Sequence, residues 1–79
     1  MKHQAQPAES IQDRVYLDSL INEVEAAGFL GYTTRALQNW RVRGGGPKFV
    51  KVSARSIRYR RRDLLAWIEA HSLDNTSQA

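Results

Sequence analysis

The chain has 79 residues, with 12 Lys or Arg, 8 Asp or Glu and no cysteine. This length accommodates one small domain, and the lack of cysteine excludes a disulfide framework and a thiolate metal site. The two histidines lie near opposite ends, and no apolar run approaches the roughly 20 residues of a membrane helix. No signal peptide is recognisable, so the composition predicts a soluble cytoplasmic domain.

Positive charge is concentrated in one part of the sequence. From position 41 to position 62 there are nine basic residues and no acid, and all eight acids lie outside this window. Such segregation gives a one-signed surface, as expected of a protein that binds a polyanion. A solvated face with counter-ions is the alternative. Nucleic acid is favoured because the window adjoins a helix rich in hydrogen-bond donors.

The N-terminal part divides into a tail and an arm. Residues 1–9 are polar and aperiodic, so they are predicted to be disordered. Ser10 and Asp13 have the spacing of a capping pair, and residues 10–20 are predicted to form a short helix or an ordered arm. If the arm packs, the side chains expected to cover one end of the core are Val15, Leu17 and Leu20.

Residues 22–43 predict two short helices joined by a tight turn. Asn22 and Glu25 have the spacing of a capping box at the first helix. The apolar positions of this helix are Val24, Ala26, Ala27 and Leu30. Gly31 stands where a left-handed C-cap is needed, and Thr33 supplies the N-cap hydroxyl of the second helix.

The second helix has an apolar face and an opposite face of hydrogen-bond donors. Its inner face carries Ala36, Leu37 and Trp40. Its outer face carries side chains that can each donate a hydrogen bond, namely Thr34, Arg35, Gln38, Arg41 and, at the edge, Asn39. A pair of helices whose second member is apolar inside and donor-rich outside has the form that enters a DNA major groove.

A β-hairpin over residues 47–61 is predicted next. The glycines and Pro47 after the second helix cannot continue it, and no Gly-Lys-Ser/Thr pattern supports a phosphate loop. Alternation on either side of a turn at residues 53–56 predicts two strands. Side chains expected to point inward are Phe49, Ile57 and Tyr59. The tip carries Arg55 and Ser56, so the hairpin resembles a basic wing that lies on phosphate or in a minor groove.

A third helix over residues 61–72 is predicted from one apolar face, formed by Leu64, Trp67, Ile68 and His71. Residues 73–79 are expected to form a flexible tail. The side chains predicted to anchor the small core are Phe29, Leu37, Trp40, Leu64 and Trp67.

An ordered series of motifs runs through residues 21–71. Its segments are Glu25-Ala26-Ala27, Phe29-Leu30-Gly31, Thr33 to Leu37, Trp40, Gly46-Pro47, Val50 to Val52, Ile57-Arg58-Tyr59 and Asp63 to Ile68. This series resembles that of small winged helix–turn–helix proteins of the excisionase and AlpA group, within the MerR-like superfamily. The resemblance implies a mainly α fold with a small β-hairpin, here with a short N-terminal helix.

The resemblance also implies that the second helix reads the major groove and that the wing contacts the adjacent groove or backbone. With the charge pattern, it gives two sets of candidate DNA-binding residues. On the recognition helix these are Thr33, Thr34, Arg35, Gln38, Asn39 and Arg41. On the wing and its flanks they are Arg43, Lys48, Lys51, Arg55, Ser56, Arg58, Arg60 and Arg61.

Two departures from the group are visible. A Ser cap often opens the third helix there, whereas here Arg60, Arg61 and Arg62 occupy that region. This predicts a weaker cap and phosphate contacts by one or more of these arginines. The chain also stops about eight residues after the third helix, whereas full-length MerR regulators continue into a dimerising helix. We therefore expect no coiled-coil dimer and no small-molecule effector.

The predicted function is sequence-specific binding of double-stranded DNA by a phage, prophage or mobile-element protein acting as an excisionase, a transcriptional regulator or both. The expected partners are duplex DNA, an integrase, or further copies side by side on DNA, with no membrane and no cofactor. Alternatives are an adaptor, such as a packaging or integrase-partner subunit that uses the arm and tail, or an RNA-binding domain. No nucleophile–base pair, metal set or cofactor loop is recognisable, so an enzyme is not expected.

Overall fold

The computed structural model describes residues 9–74, so the predictions for the first eight residues and for 75–79 lie outside the described residues. The elements in chain order are α1 (Ile11–Asp18), β1 (Leu20–Ile21), α2 (Glu23–Leu30), α3 (Thr34–Arg43), β2 (Val50–Ser53), β3 (Ser56–Arg60) and α4 (Arg61–Ala70). Helices with a small antiparallel sheet confirm the predicted fold class. Within residues 9–74, each helix is too short or too polar to span a lipid bilayer.

The ends of α2 and α3 follow from local sequence signals. The Asn22 side chain accepts from the Glu25 amide at 2.8 Å, and the Glu25 carboxylate accepts from the Asn22 amide at 3.1 Å. Gly31 ends α2 with a φ of 69°, a conformation that glycine adopts without steric cost. The Thr33 hydroxyl accepts from the Ala36 amide at 3.1 Å. The predicted capping box, C-cap and N-cap are confirmed.

The sheet has three strands in the order β1-β3-β2, and both pairings are antiparallel. The sequence predicted only the hairpin of β2 and β3. The added strand β1 pairs Leu20 with Arg60 and Ile21 with Tyr59. A two-residue strand has no alternation of its own, and it exists because β3 offers an open edge to a segment about 40 residues away.

The hairpin turn is shorter than predicted. Ser53 and Ser56 pair directly, so Ala54 and Arg55 alone form the turn. Arg55 therefore lies at the tip, as expected. The placement of Ser56 at the tip was wrong, because its pairing with Ser53 makes it the first residue of β3.

The core lies between α2, α3, α4 and β3. Its buried members are Ile21, Ala26, Ala27, Leu37, Tyr59 and Leu64, with Phe29, Leu30, Trp40 and Ile57 packed against them. Leu37 and Leu64 are confirmed as anchors. Trp67 is only half-buried and packs on the Trp40 ring, with centroids 5.1 Å apart.

Two of the apolar side chains named from the sequence are exposed, and for Phe49 the predicted inward orientation is wrong. Val24 is 70% exposed, because α2 turns its two alanines toward the core and leaves Val24 at the edge. Phe49 is 42% exposed because it precedes β2, and its ring is tilted against that of Tyr59 with 6.4 Å between the centroids. Ile57 and Tyr59 lie on the inner side, as predicted.

The arm forms the helix α1 and is attached mainly by arginines at the start of α4. Arg62 donates to the carboxylates of Glu9 and Asp18, and Arg61 donates to the Tyr16 carbonyl at 3.0 Å. The Arg61 guanidinium also lies 4.0 Å from the Tyr16 ring centroid. α1 contains no buried residue, and among the side chains expected to cover the core Val15 is 65% and Leu20 40% exposed, while Leu17 is half-buried. That covering role was wrong for Val15 and Leu20, because polar contacts hold the arm instead.

The attachment of the arm should depend on pH. Hydrogen bonds from Arg62 hold the pKa values of Glu9 and Asp18 below their ordinary 4.5 and 3.8. A carboxylate with a lowered pKa in the folded state contributes stability above its ordinary pKa, and loses it as the pH falls through the lowered value. We expect NMR amide shifts of α1 to report release of the arm as the pH falls below the ordinary pKa of Asp18, 3.8, while those around Leu64 stay unchanged.

The matched variant for this titration is Arg62→Gln, which removes the positive charge and keeps a polar side chain. Its α1 shifts should already resemble those of the released arm at neutral pH. Acid-dependent docking that survives in Arg62→Gln would contradict the assignment to this arginine.

Candidate nucleic-acid interface

The outward face of α3 carries a row of exposed side chains. Arg35, Gln38 and Asn39 are exposed, and Val42 is 86% exposed. Their spacing of three and four residues places them along one side of the helix. The opposite side is fixed by Leu37, which is fully buried, so α3 cannot rotate without exposing the core. The local sequence thus presents donors and one apolar side chain to solvent.

Two α3 side chains contact α2. The Glu23 carboxylate accepts from Gln38 Nε2 at 2.6 Å and pairs with Arg41 Nη2 at 2.8 Å. Arg41 Nη1 donates to the Tyr59 hydroxyl at 2.7 Å. Burial lowers the pKa of Arg41, but the hydrogen bonds to Tyr59 and Glu23 outweigh burial and leave that pKa raised. Arg41 therefore remains a cation held between α2, α3 and β3.

The hairpin meets α2 and α3 at a shared cleft. This cleft has a volume of about 360 Å³, and its lining includes Arg41, Arg55, Arg58 and the first turn of α2. Arg55 is exposed at the turn, and the half-buried Arg58 donates to the Ile57 carbonyl at 2.9 Å. The predicted wing and the predicted recognition helix therefore converge on one side of the domain.

The positive charge of α3, its C-terminal flank and the hairpin is largely unneutralised. In the part of the chain that the structure describes, no salt bridge is seen for the basic residues Arg35, Arg43, Lys48, Lys51, Arg55 and Arg58. Salt bridges form instead at Arg41, Arg60 and Arg62. The uncompensated cations thus belong mainly to α3, its C-terminal flank and the hairpin, which is the distribution expected of a polyanion-binding face.

A comparison with protein families bears on this geometry. The profile of a family described as "Helix-turn-helix domain" matches residues 24–72, which is more than half of the chain. The chain belongs to the helix-turn-helix domain family. A search of curated proteins found no match. The helix-turn-helix domain indicates DNA binding, with DNA as the partner, and such domains typically act without catalysis.

Within the matched range, α2 and α3 are joined by the tight turn predicted from the sequence, and α3 is the helix that the sequence predicted to read DNA. The hairpin is consistent with a wing. Thr33 caps α3 through its hydroxyl, and Thr34 is half-buried in the first turn of this helix. Arg43 and Lys51 are exposed, and Lys48 lies beside a different cleft that Asp63 and Trp67 also line.

The arginines at the start of α4 have contacts that the sequence did not indicate. Arg60 donates to the Asp18 carbonyl at 3.3 Å and pairs with Asp63 at 3.2 Å. Arg61 donates to Ser19 Oγ at 3.0 Å besides its contacts with Tyr16. Arg60 forms no side-chain cap on α4, as the absence of the usual Ser predicted. In the structure these arginines contact the arm. We therefore expect them to contribute less than the wing residues to the binding of DNA phosphates.

Two residues of this face were not selected from the sequence. Val42 was not selected because the predicted outer face was defined by side chains that donate hydrogen bonds, yet Val42 is the most exposed large hydrophobic side chain described. An exposed methyl-bearing side chain on a recognition helix suits the methyl group of thymine. Glu23, in the first turn of α2, was not selected either. Its spacing from Gln38 and Arg41 gave no signal, because the three meet only after α2 packs on α3.

Proposed function

We propose that the chain binds double-stranded DNA sequence-specifically through the recognition helix and the wing. The observation that supports this most strongly is the exposed row of Arg35, Gln38 and Asn39 on α3. Within this row, Gln38 is hydrogen-bonded to Glu23, which lines the same cleft as Arg55 and Arg58. The row offers hydrogen-bond donors and acceptors to base edges in a major groove. The wing then reaches the neighbouring backbone or minor groove.

Affinity and selectivity come from different residues in this proposal. Arg43, Lys51, Arg55 and Arg58 displace counter-ions from phosphates and supply most of the binding free energy, which makes binding steeply dependent on salt. Arg35 suits a bidentate contact with guanine, while Gln38 or Asn39 suits adenine.

The biological role that fits is that of an excisionase, a transcriptional regulator or both, in a phage, prophage or mobile element. The support is the motif series resembling the excisionase and AlpA group, together with the small size of the domain. An integrase, or further copies of the chain on adjacent sites, is the partner that this role requires. An adaptor that uses DNA only secondarily is a second candidate, favoured by the exposed apolar side chains of Ile11 and Val15 on α1.

The deciding experiment is fluorescence anisotropy across a salt series with a random duplex, a random single-stranded RNA and a duplex selected from a pool. Tight, salt-steep binding to duplex with a recoverable motif is the expected result. Weak binding to every nucleic acid at low salt would refute the proposal, and stronger binding to RNA would favour an RNA-binding domain. The spacing of repeated motifs would show how copies align on DNA.

Arg35→Ala and Arg55→Ala should have different consequences. Arg35→Ala should reduce the preference for the selected duplex over random duplex by about 1–3 kcal/mol, because a base contact is lost. Arg55→Ala should weaken both duplexes alike and reduce the salt slope by about one unit, because a phosphate contact is lost. Equal losses on selected and random DNA for Arg35→Ala would contradict its role in base reading.

A further inference from the structure

Glu23 is the acidic side chain that the structure places against the recognition helix. Its two carboxylate oxygens have different partners, with Oε2 accepting from Gln38 at 2.6 Å and Oε1 pairing with Arg41 at 2.8 Å. Its side chain is 22% exposed, so these contacts are partly shielded from water. A carboxylate held from both sides has a fixed orientation, and it fixes the groups that donate to it.

Arg41 connects this carboxylate to the core. Its second terminal nitrogen donates to the hydroxyl of Tyr59 at 2.7 Å, and Tyr59 is 1% exposed. A continuous chain of hydrogen bonds thus runs from Tyr59 through Arg41 and Glu23 to Gln38. The buried end cannot move without disturbing the core, so the exposed end is held in one conformation.

The way in which Gln38 is held leaves its recognition chemistry intact. A glutamine amide has two N–H donors and one carbonyl acceptor, and Glu23 takes one donor. The remaining N–H and the carbonyl oxygen are the pair that adenine requires at N7 and N6. An unrestrained glutamine side chain loses rotamer freedom when it binds a base, which costs binding free energy. The Gln38 side chain, held by Glu23, has already lost this freedom before DNA binds.

We propose that Glu23 is a positioning residue that fixes Gln38 to read an A·T base pair in the major groove. The proposal rests on the DNA-binding function proposed above. Glu23 contacts no base in this arrangement and acts through the Gln38 amide. Its negative charge also opposes phosphate, so its removal should strengthen binding to random duplex while weakening selectivity.

The test begins with the unmodified protein and its selected duplex. Each base pair of the selected duplex is substituted in turn, and the affinity of each duplex is measured for the unmodified protein and for Gln38→Ala. The base pair that Gln38 reads is the one whose substitution weakens binding of the unmodified protein but not of Gln38→Ala. Glu23→Ala should then lower the preference at that same pair about tenfold and leave the preferences at other pairs unchanged. The matched control is Glu69→Ala, which removes an exposed acid from α4 with the same change in charge and should leave every preference unchanged.

A double-mutant cycle separates positioning from charge. Glu23→Ala combined with Gln38→Ala should cost no more selectivity at this pair than Gln38→Ala alone, because the two residues act as a unit. Glu23→Gln removes the charge but retains one acceptor oxygen, so it should lose less of the preference. If Glu23→Ala does not melt cooperatively, Glu23→Gln decides the question by whether it lowers the preference at this pair.

An unchanged preference at the Gln38 pair in a folded Glu23 variant would overturn the proposal, as would a Gln38→Ala variant with no pair-specific loss. Equal effects of Glu23→Ala and Glu69→Ala would also overturn it, since net charge would then explain both. These outcomes differ from a failure of the proposed function, in which the unmodified protein itself would select no duplex.

Discussion

Leu37→Ala should lower the free energy of unfolding by about 2–5 kcal/mol. Leu37 is fully buried on the inner side of α3 and belongs to the cluster that includes Ala26, Ala27 and Leu64. The two alanines have little side chain with which to fill the space left by the lost isobutyl group, so a cavity should remain. Because small domains are stable by only about 5–15 kcal/mol, this loss is a large part of the total.

Urea unfolding followed by tryptophan fluorescence measures this loss directly. The matched control is Val42→Ala on the same helix, whose side chain is 86% exposed and should change stability by less than about 0.5 kcal/mol. A Leu37→Ala variant that unfolds at the same urea concentration as the unmodified protein would contradict the proposed packing. The pair also separates folding from recognition, since Val42→Ala should alter DNA preference without altering stability.

Gly46→Ala should lower the free energy of unfolding by about 1–3 kcal/mol through overpacking. A Cβ at position 46 would lie 2.5 Å from Trp40 Cβ and 2.7 Å from Trp40 Cγ. These atoms lie next to the backbone, so they cannot move aside as the end of a flexible side chain would. The Trp40 ring is further confined between Tyr32 and Trp67, at centroid distances of 5.2 Å and 5.1 Å.

Gly28→Ala is the matched control for this substitution. Position 28 is exposed within α2, and an added Cβ there would meet nothing within 4 Å. Alanine in a helix interior is preferred to glycine by about 0.5–1 kcal/mol, so this variant should be more stable. Thermal melting should therefore move in opposite directions for the two variants, and a Gly46→Ala variant as stable as the unmodified protein would refute the predicted clash.

The motif itself was predictable because its signals are local. The side chains of Asn22, Glu25 and Thr33 form hydrogen bonds with free backbone amides within one helical turn, and Gly31 adopts the left-handed conformation that ends α2. The spacing of these residues alone therefore indicates where α2 begins and ends and where α3 begins. The inner face of α3 was predictable for a related reason. The apolar residues on that face, which include the buried Leu37, recur at helical spacing in the sequence.

The rest depends on contacts between distant residues. β1 forms only because Ile21 meets Tyr59, and the arm is held because Arg62 meets Glu9 and Asp18. Neither contact leaves a periodic trace in the sequence. The run of arginines at positions 60–62 therefore suggested phosphate contacts. In the structure, Arg60 and Arg62 instead form salt bridges with acidic side chains of the same chain.

The same limit applies to the candidate site. Residue type and helical spacing selected Arg35, Gln38 and Asn39 for the outer face of α3, and the structure exposes all three. Spacing could not show that Arg41 contacts both Glu23 and the buried Tyr59. The chemical role of an outer-face residue thus depends on the neighbouring helix, which the sequence of α3 does not contain.

The central position of β3 in the sheet has a consequence for how the protein surface and a DNA duplex can adapt to each other. β1 pairs with the C-terminal end of β3, at Tyr59 and Arg60, whereas β2 pairs with residues 56–58, and Tyr59 is buried in the core. The base of the hairpin is thereby held against the core, and the hydrogen bond from Arg41 to Tyr59 also holds it against α3, so the wing starts from a fixed base before DNA binds. In the proposed complex, adaptation then falls to the bend or the groove width of the double helix, so flexible pyrimidine–purine steps near the site should be favoured even where no side chain reaches them.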